Sequence, residues 1–287
     1  MNEDNGRIIT GTVTDENENE YFIQKDGITY SLDKSELKKP LKSGSEFKGF
    51  AYENEKHNQR ITREIPEVGV DSYSWGKVVG TKFGLGVFVD IGLKDKDIAV
   101  SMDDLPDMKS LWPDVGDELM IAIKRDSKGR LWGELADDKV FKAISQPVNN
   151  PKMKNWDVTC WVINTKKMGT QVITDHYNLG FIDKSEQEQE PRLGEKLTAR
   201  VIGIRPNKTF YLSLRPRAYE SIGEDAEMIK RILEMKPDNF LPYNDKSDPD
   251  EIKNYFGISK GQFKRALGNL LKHRLVKKEE NGISLIK

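Results

Sequence analysis

Phe83 and Phe88 share a short segment with Lys82, and Lys124, Arg125 and Arg130 follow further along. A flat ring that reaches solvent gives another flat ring a face to stack on, and cations beside it pair with phosphates. Phe83 falls in the loop-like stretch Thr81-Lys82-Phe83-Gly84 and is the stronger stacking candidate. Phe88 sits in the apolar run Val87-Phe88-Val89, where a core ring and a stacking ring are both open readings. A second set comprises Tyr177, Phe181 and Tyr211, with His176, Arg200 and Arg205 nearby. Between Arg192 and Arg217 seven basic residues stand against one acid, Glu195. That run reads as one wall of a basic groove or as a solvated face paired with Glu186, Glu188 and Glu190. A third set holds Lys260, Lys264, Arg265, Lys272 and Arg274, then Lys277 and Lys278. No acid occurs over 254–278, whereas 220–251 is strongly acidic, so the third set suits phosphate contact better than solubility alone. Tyr21, Phe22 and Tyr30 offer further rings, but acids outnumber bases around them and that segment reads as scaffold.

Other chemistry finds little support. His57, His176 and His273 lie far apart and there is no cysteine pair, so no metal site and no cofactor is predicted. Gly84-Leu85-Gly86 lacks the third glycine of a dinucleotide loop, and neither a phosphate loop nor a nucleophile elbow occurs; an enzyme is not expected. The lone Cys160 excludes an internal disulfide framework and fits a reducing cytoplasm. Absence of a long apolar run or an apolar leader predicts a cytoplasmic protein with no membrane contact. With 32% charged residues and a mean hydropathy of −0.67, any core must be small.

The elements that must position these residues are repeated. Gly76-Lys77-Val78, Gly86-Val87-Phe88-Val89-Asp90, Val115-Gly116-Asp117-Glu118-Leu119 and Arg130-Leu131-Trp132 return as Thr159-Cys160-Trp161-Val162, Gly169-Thr170-Gln171-Val172, Leu193-Gly194-Glu195-Lys196-Leu197 and Tyr211-Leu212-Ser213-Leu214. A fainter copy holds Gly11-Thr12-Val13, Tyr21-Phe22-Ile23 and Ser43-Gly44-Ser45-Glu46-Phe47. Each copy offers five short strands, with a glycine bend in the second that favours closure into a small Greek-key barrel. The prediction is a multidomain, mainly β chain: tandem five-stranded OB-fold barrels over 1–64 (degenerate), 68–140 and 152–218, then an α/β winged-helix domain over 221–287. A short helix is expected over 136–145, and 146–151 reads as a linker. In the last domain helical spacing of Ala226, Ile229, Ile232 and Leu233 precedes helices capped by Asp248 and Ser259, and Asn281-Gly282 turns a hairpin.

The block from Gly76 to Leu131 resembles the RNA-binding OB-fold domain named for ribosomal protein S-one. That domain usually carries a histidine on strand three, where this chain has Ser101. In the third segment Gln171 takes the place of the strand-two aromatic. As a whole the chain resembles the conserved virulence factor B family, including Asp33-Lys34-Ser35-Glu36 echoed by Asp183-Lys184-Ser185-Glu186, and Phe256-Gly257-Ile258-Ser259-Lys260. The resemblance implies RNA binding and post-transcriptional regulation of virulence-type genes. Single-stranded RNA is the expected partner of a monomeric protein. The rivals are a DNA-binding transcription regulator that contacts duplex nucleic acid, and an adaptor for ribosome or ribonuclease components.

Overall fold

The computed structural model describes residues 2–70, 72–216 and 218–286, and the side chains of all of these except 218–222. Two compact units result, Met1–Leu214 and Arg215–Lys287. Among the described residues no helix is long and apolar enough to cross a membrane.

The first unit holds three closed barrels. Barrel one consists of β1 (Arg7–Glu16), β2 (Glu20–Lys25), β3 (Ile28–Asp33), β4 (Glu46–Glu53) and β5 (Gln59–Thr62). Barrel two consists of β6 (Ser74–Lys82), β7 (Gly86–Asp90), β8 (Ile98–Ser101), β9 (Glu118–Arg125) and β10 (Leu131–Leu135). Helix α1 (Asp138–Ile144) leads to barrel three, formed by β11 (Asp157–Lys166), β12 (Gly169–Thr174), β13 (Leu179–Asp183), β14 (Lys196–Ile204) and β15 (Phe210–Ser213). Counting strands within each barrel, the order is 1-2-3-5-4, closed by pairing of the fourth strand with the first.

The repeat read in the sequence reappears as geometry. In every barrel the first strand bulges at one equivalent place, between Val13 and Asp15, Val78 and Gly80, and Val162 and Asn164. Such a bulge adds the twist that a small barrel needs to close. Strand two opens with Gly86 (φ 140°) in barrel two and Gly169 (φ 144°) in barrel three. A β-carbon there would lie 1.9 Å from the Val100 carbonyl oxygen or 2.2 Å from that of Ile182, so only glycine fits. After strand three a single 3-10 turn is capped by Asp33, Ser101 or Asp183, each side chain accepting from the backbone N–H two residues on.

The barrels are packed against one another. Ala51 points into barrel one, while its neighbours Phe50 and Tyr52 are buried in the same cluster as the core of barrel two. Tyr52 donates its hydroxyl to the Lys94 carbonyl (2.9 Å), and Lys94 forms an ion pair with Asp33. Between barrels two and three, Leu193 N–H donates to Leu111 and Glu118 N–H to Gly194, each at 3.0 Å. Trp75 meets Trp161 at a centroid distance of 5.6 Å, and Phe141 of α1 packs with Met120 and Ile173. The segment expected to be a linker is packed instead, because Val148 is buried in the core of barrel three and its N–H donates to Lys208.

The second unit contains α2 (Ala218–Met235), β16 (Phe240–Leu241), α3 (Pro249–Phe256), α4 (Lys260–Lys272), β17 (Val276–Glu279) and β18 (Gly282–Leu285). Asp248 caps α3, Gly257 ends it in the left-handed region, and Ser259 with Gln262 forms a capping box for α4. Ile229, Leu233, Ile252, Phe263, Leu267 and Leu270 make the core under a sheet of order β16-β18-β17. This is a winged helix; the two-residue β16 has no signal in the sequence.

Candidate nucleic-acid interface

Strand register sets one outward row of residues across each barrel. In barrel two the row is Gly80, Phe88, Ala99, Trp132 and Lys124. Val87 and Val89 are buried on either side of Phe88, so alternation turns that ring outward and resolves its two readings in favour of the surface. Trp132 is half-buried, donates from Nε1 to Asp126 (3.3 Å) and lies under the Arg130 guanidinium at 5.7 Å. Its position between Ala99 and Lys124 makes it the second ring of the face, one that the sequence pattern does not single out.

The corresponding row in barrel three is Asn164, Gln171, Phe181, Tyr211 and Gly203. Phe181 and Tyr211 are register partners on adjacent strands, both half-buried, and the Arg205 guanidinium lies over Phe181 at 5.1 Å. The ring lost at Gln171 has in effect moved one strand over. Tyr177 stands apart in the turn between β12 and β13, 40% exposed. Arg200 is half-buried on β14, 3.5 Å from the Ser213 hydroxyl. Of the basic run, Arg192 is held by Asp117 and Glu195, Lys196 lies over Trp161, and Arg217 lies outside the described residues.

Barrel one carries the row Asp15, Phe22, Ser31, Arg60 and Tyr52. Arg60 is bound by Glu20 and by the Ser31 hydroxyl, and Tyr52 is covered by barrel two. Tyr21 and Tyr30, counted as available rings in the sequence, are core residues at 4% and 0% exposure. Burial pushes the Tyr30 hydroxyl up to about 12.

Several expected cations are already engaged. Lys124 pairs with Glu134 (3.4 Å), Arg130 with Asp126 (2.7 Å), and Arg125 donates to the Glu3 carbonyl (2.6 Å). Burial works against ionisation of Asp126, but hydrogen bonds from the Arg130 backbone and guanidinium outweigh it and hold the carboxyl at about 2. Lys82 is exposed beside Phe83 and forms no ion pair among the described residues. Between barrels two and three a cleft of about 1240 Å³ is walled by Lys124, Arg130 and Trp132 on one side and Asn164, Lys166 and Lys167 on the other. In the winged helix Lys264 and Arg265 are exposed on α4 and Lys260 is half-buried at its start. The wing lysines are neutralised in place, Lys277 by Glu279 (3.0 Å) and Lys278 by Asp245 (3.1 Å). Cys160 is buried, which raises its thiol to about 12. Among the described residues no group of three His, Cys, Asp or Glu is placed to hold a metal ion.

Residues 73–134 match the family described as CvfB first S1-like domain, 141–216 the virulence regulatory factor CvfB second domain, and 227–285 the CvfB-like winged helix domain. Conserved virulence factor B of Staphylococcus epidermidis is 34% identical over 244 residues, 85% of this chain and 81% of that protein. The chain belongs to the conserved virulence factor B family. It is also 34% identical over 277 residues to the uncharacterized protein YitL of Bacillus subtilis, covering 96% of this chain and 92% of the relative. A solved Streptococcus pneumoniae structure, described as a multidomain protein with nucleic acid binding domains, covers 99% of both chains at 44% identity and a TM-score of 0.73. Barrel one, the faintest copy in the sequence, matches the general S1 domain over 5–64. The chain is therefore three closed barrels, of which the first two match S1 and S1-like domains, followed by a winged helix.

Proposed function

We propose that this chain binds single-stranded RNA over the outward faces of barrels two and three, with phosphate pairing added by α4, and acts as a post-transcriptional regulator. The observation that carries the reading is the contrast of rows. Phe88 with Trp132, and Phe181 with Tyr211, put two rings on each outward face, Trp132 under Arg130 and Phe181 under Arg205, while in barrel one Tyr52 of the row is covered by barrel two and Arg60 is held by Glu20. Half-buried rings on β-strands suit splayed bases better than the stacked edges of a duplex. The S. pneumoniae relative, with its nucleic acid binding domains, supports the ligand class, and the family name supports virulence-type genes as the regulated set.

A competition among single-stranded RNA, single-stranded DNA and duplex DNA for the full chain tests the proposal. Single-stranded RNA is expected to displace the other two. Preference for the duplex would move the function to the winged helix and to DNA. Deleting 215–287 should lower the salt slope by about 0.7 for each phosphate that α4 no longer neutralises. An unchanged slope would remove α4 from the interface.

A further inference from the structure

Phe83 lies away from both outward rows, in the loop between β6 and β7, and at 87% is the most exposed large apolar side chain among the described residues. The Lys109 ammonium lies over its ring, 4.4 Å from the centroid. Lys109 begins the 3-10 turn Lys109–Leu111 in the connection from β8 to β9, and Trp112 follows it. The Trp112 indole is fixed by its Nε1–H, which donates to the Pro106 carbonyl at 2.7 Å. Arg192 of barrel three, anchored on Asp117 at 3.2 Å, lines the same notch. Lys82, Phe83, Lys109, Trp112, Asp114 and Arg192 line a notch of about 320 Å³.

Neither Lys82 nor Lys109 forms an ion pair among the described residues. Two cations that no acid pairs with, beside an exposed ring and with Asp114 as the one carboxylate in the lining, fit a ligand that is both flat and anionic. We propose that the notch takes one nucleotide of the bound RNA, its base stacked on Phe83 and its phosphate held by Lys82 and Lys109, so that the strand passes from barrel two to barrel three. This rests on the single-stranded RNA reading above. A charge-assisted pair with phosphate is stronger than a solvated cation–π interaction, so the arriving phosphate draws Lys109 off the ring and frees that face for the base. Arg192, already neutralised by Asp117, forms the wall on the barrel-three side.

The test uses the full chain and a fluorescein-labelled single-stranded RNA of about 20 nucleotides, longer than the site of one OB barrel. Dissociation constants are measured as a function of salt for the unmodified protein, Phe83→Ala and the double variant Lys82→Gln/Lys109→Gln. Loss of stacking should weaken Phe83→Ala about tenfold and leave its salt slope unchanged. The double lysine variant should lose about 1.4 from the slope, two phosphate pairings at about 0.7 each. All three side chains are at the surface, so melting curves should coincide. Wild-type affinity in both variants overturns the notch, and if Phe181→Ala/Tyr211→Ala loses binding in the same assay the RNA reading stands without it. A loss confined to the lysine variant also overturns the notch, because it leaves only a basic patch. No binding by the unmodified chain overturns both proposals.

Discussion

In barrel one, Arg60 is held between Glu20 and Ser31 and Tyr52 is buried against barrel two, whereas in barrel three Phe181 and Tyr211 stand side by side, Phe181 beneath Arg205. The two barrels share strand order, the bulge in strand one and the capped turn after strand three. What differs is the outward half of each strand, which core packing leaves free to vary. One face has become an internal joint and the other remains open. A shared topology therefore says where a face is, and the side chains on it say what it does.

The largest effect should come from breaking the joint. Tyr52→Ala removes a fully buried ring and its hydrogen bond to Lys94, at a cost of about 4 kcal/mol in unfolding free energy. A melting curve that hardly moves would mean that barrel one is not held through this face. Next in size is the open face. Phe181→Ala/Tyr211→Ala should lose about 3 kcal/mol of single-stranded RNA affinity, on the order of a hundredfold, while Phe22→Ala in barrel one stays within about twofold. Equal losses in the two barrels would erase the functional contrast.

The smallest effect sharpens the comparison through pH. The Lys94 hydrogen bond, followed by those from the Ser35 side chain and backbone, holds the Asp33 carboxyl well below the usual carboxylate range. Asp183, its counterpart in barrel three, is lowered by the Ser185 backbone and side chain without a lysine. A carboxyl depressed in the folded state contributes fully above its unfolded value of 3.8 and loses that contribution as pH falls toward the folded value. Acid titration of stability below about pH 4 should therefore be shallower in Asp33→Asn than in the unmodified chain, with a smaller change for Asp183→Asn. Identical slopes for the two variants would show that Lys94 adds nothing to the joint.

The barrels were legible because their requirements are local. Gly86 and Gly169 stand where a β-carbon would meet a carbonyl oxygen, and the alternation of Val87, Phe88 and Val89 follows the pleat. The winged helix was legible for similar reasons, through Asp248 and Ser259, although its hairpin turns over Glu280-Asn281, one residue before the expected Asn281-Gly282 pair. The face of barrel two was only half legible. Trp132 joins Phe88 through the parallel pairing of β10 with β8, a long-range register that periodicity does not reveal. Tyr52 and Val148 are buried by other parts of the unit, so their own segments gave no sign of it. Charge counts marked basic runs correctly but not which members were already paired, as with Arg130, Arg192, Lys277 and Lys278.

Backbone hydrogen bonds from Leu193 to Leu111 and from Glu118 to Gly194 join barrels two and three without a free tether between their faces. If both faces bind as proposed, two sites fixed in this way would measure their ligand as a ruler does. A strand long enough to reach both meets the second at a high effective concentration, whereas a shorter one gains nothing from it. Affinity should then rise in a step with strand length, and the length at the step would report the distance between the faces.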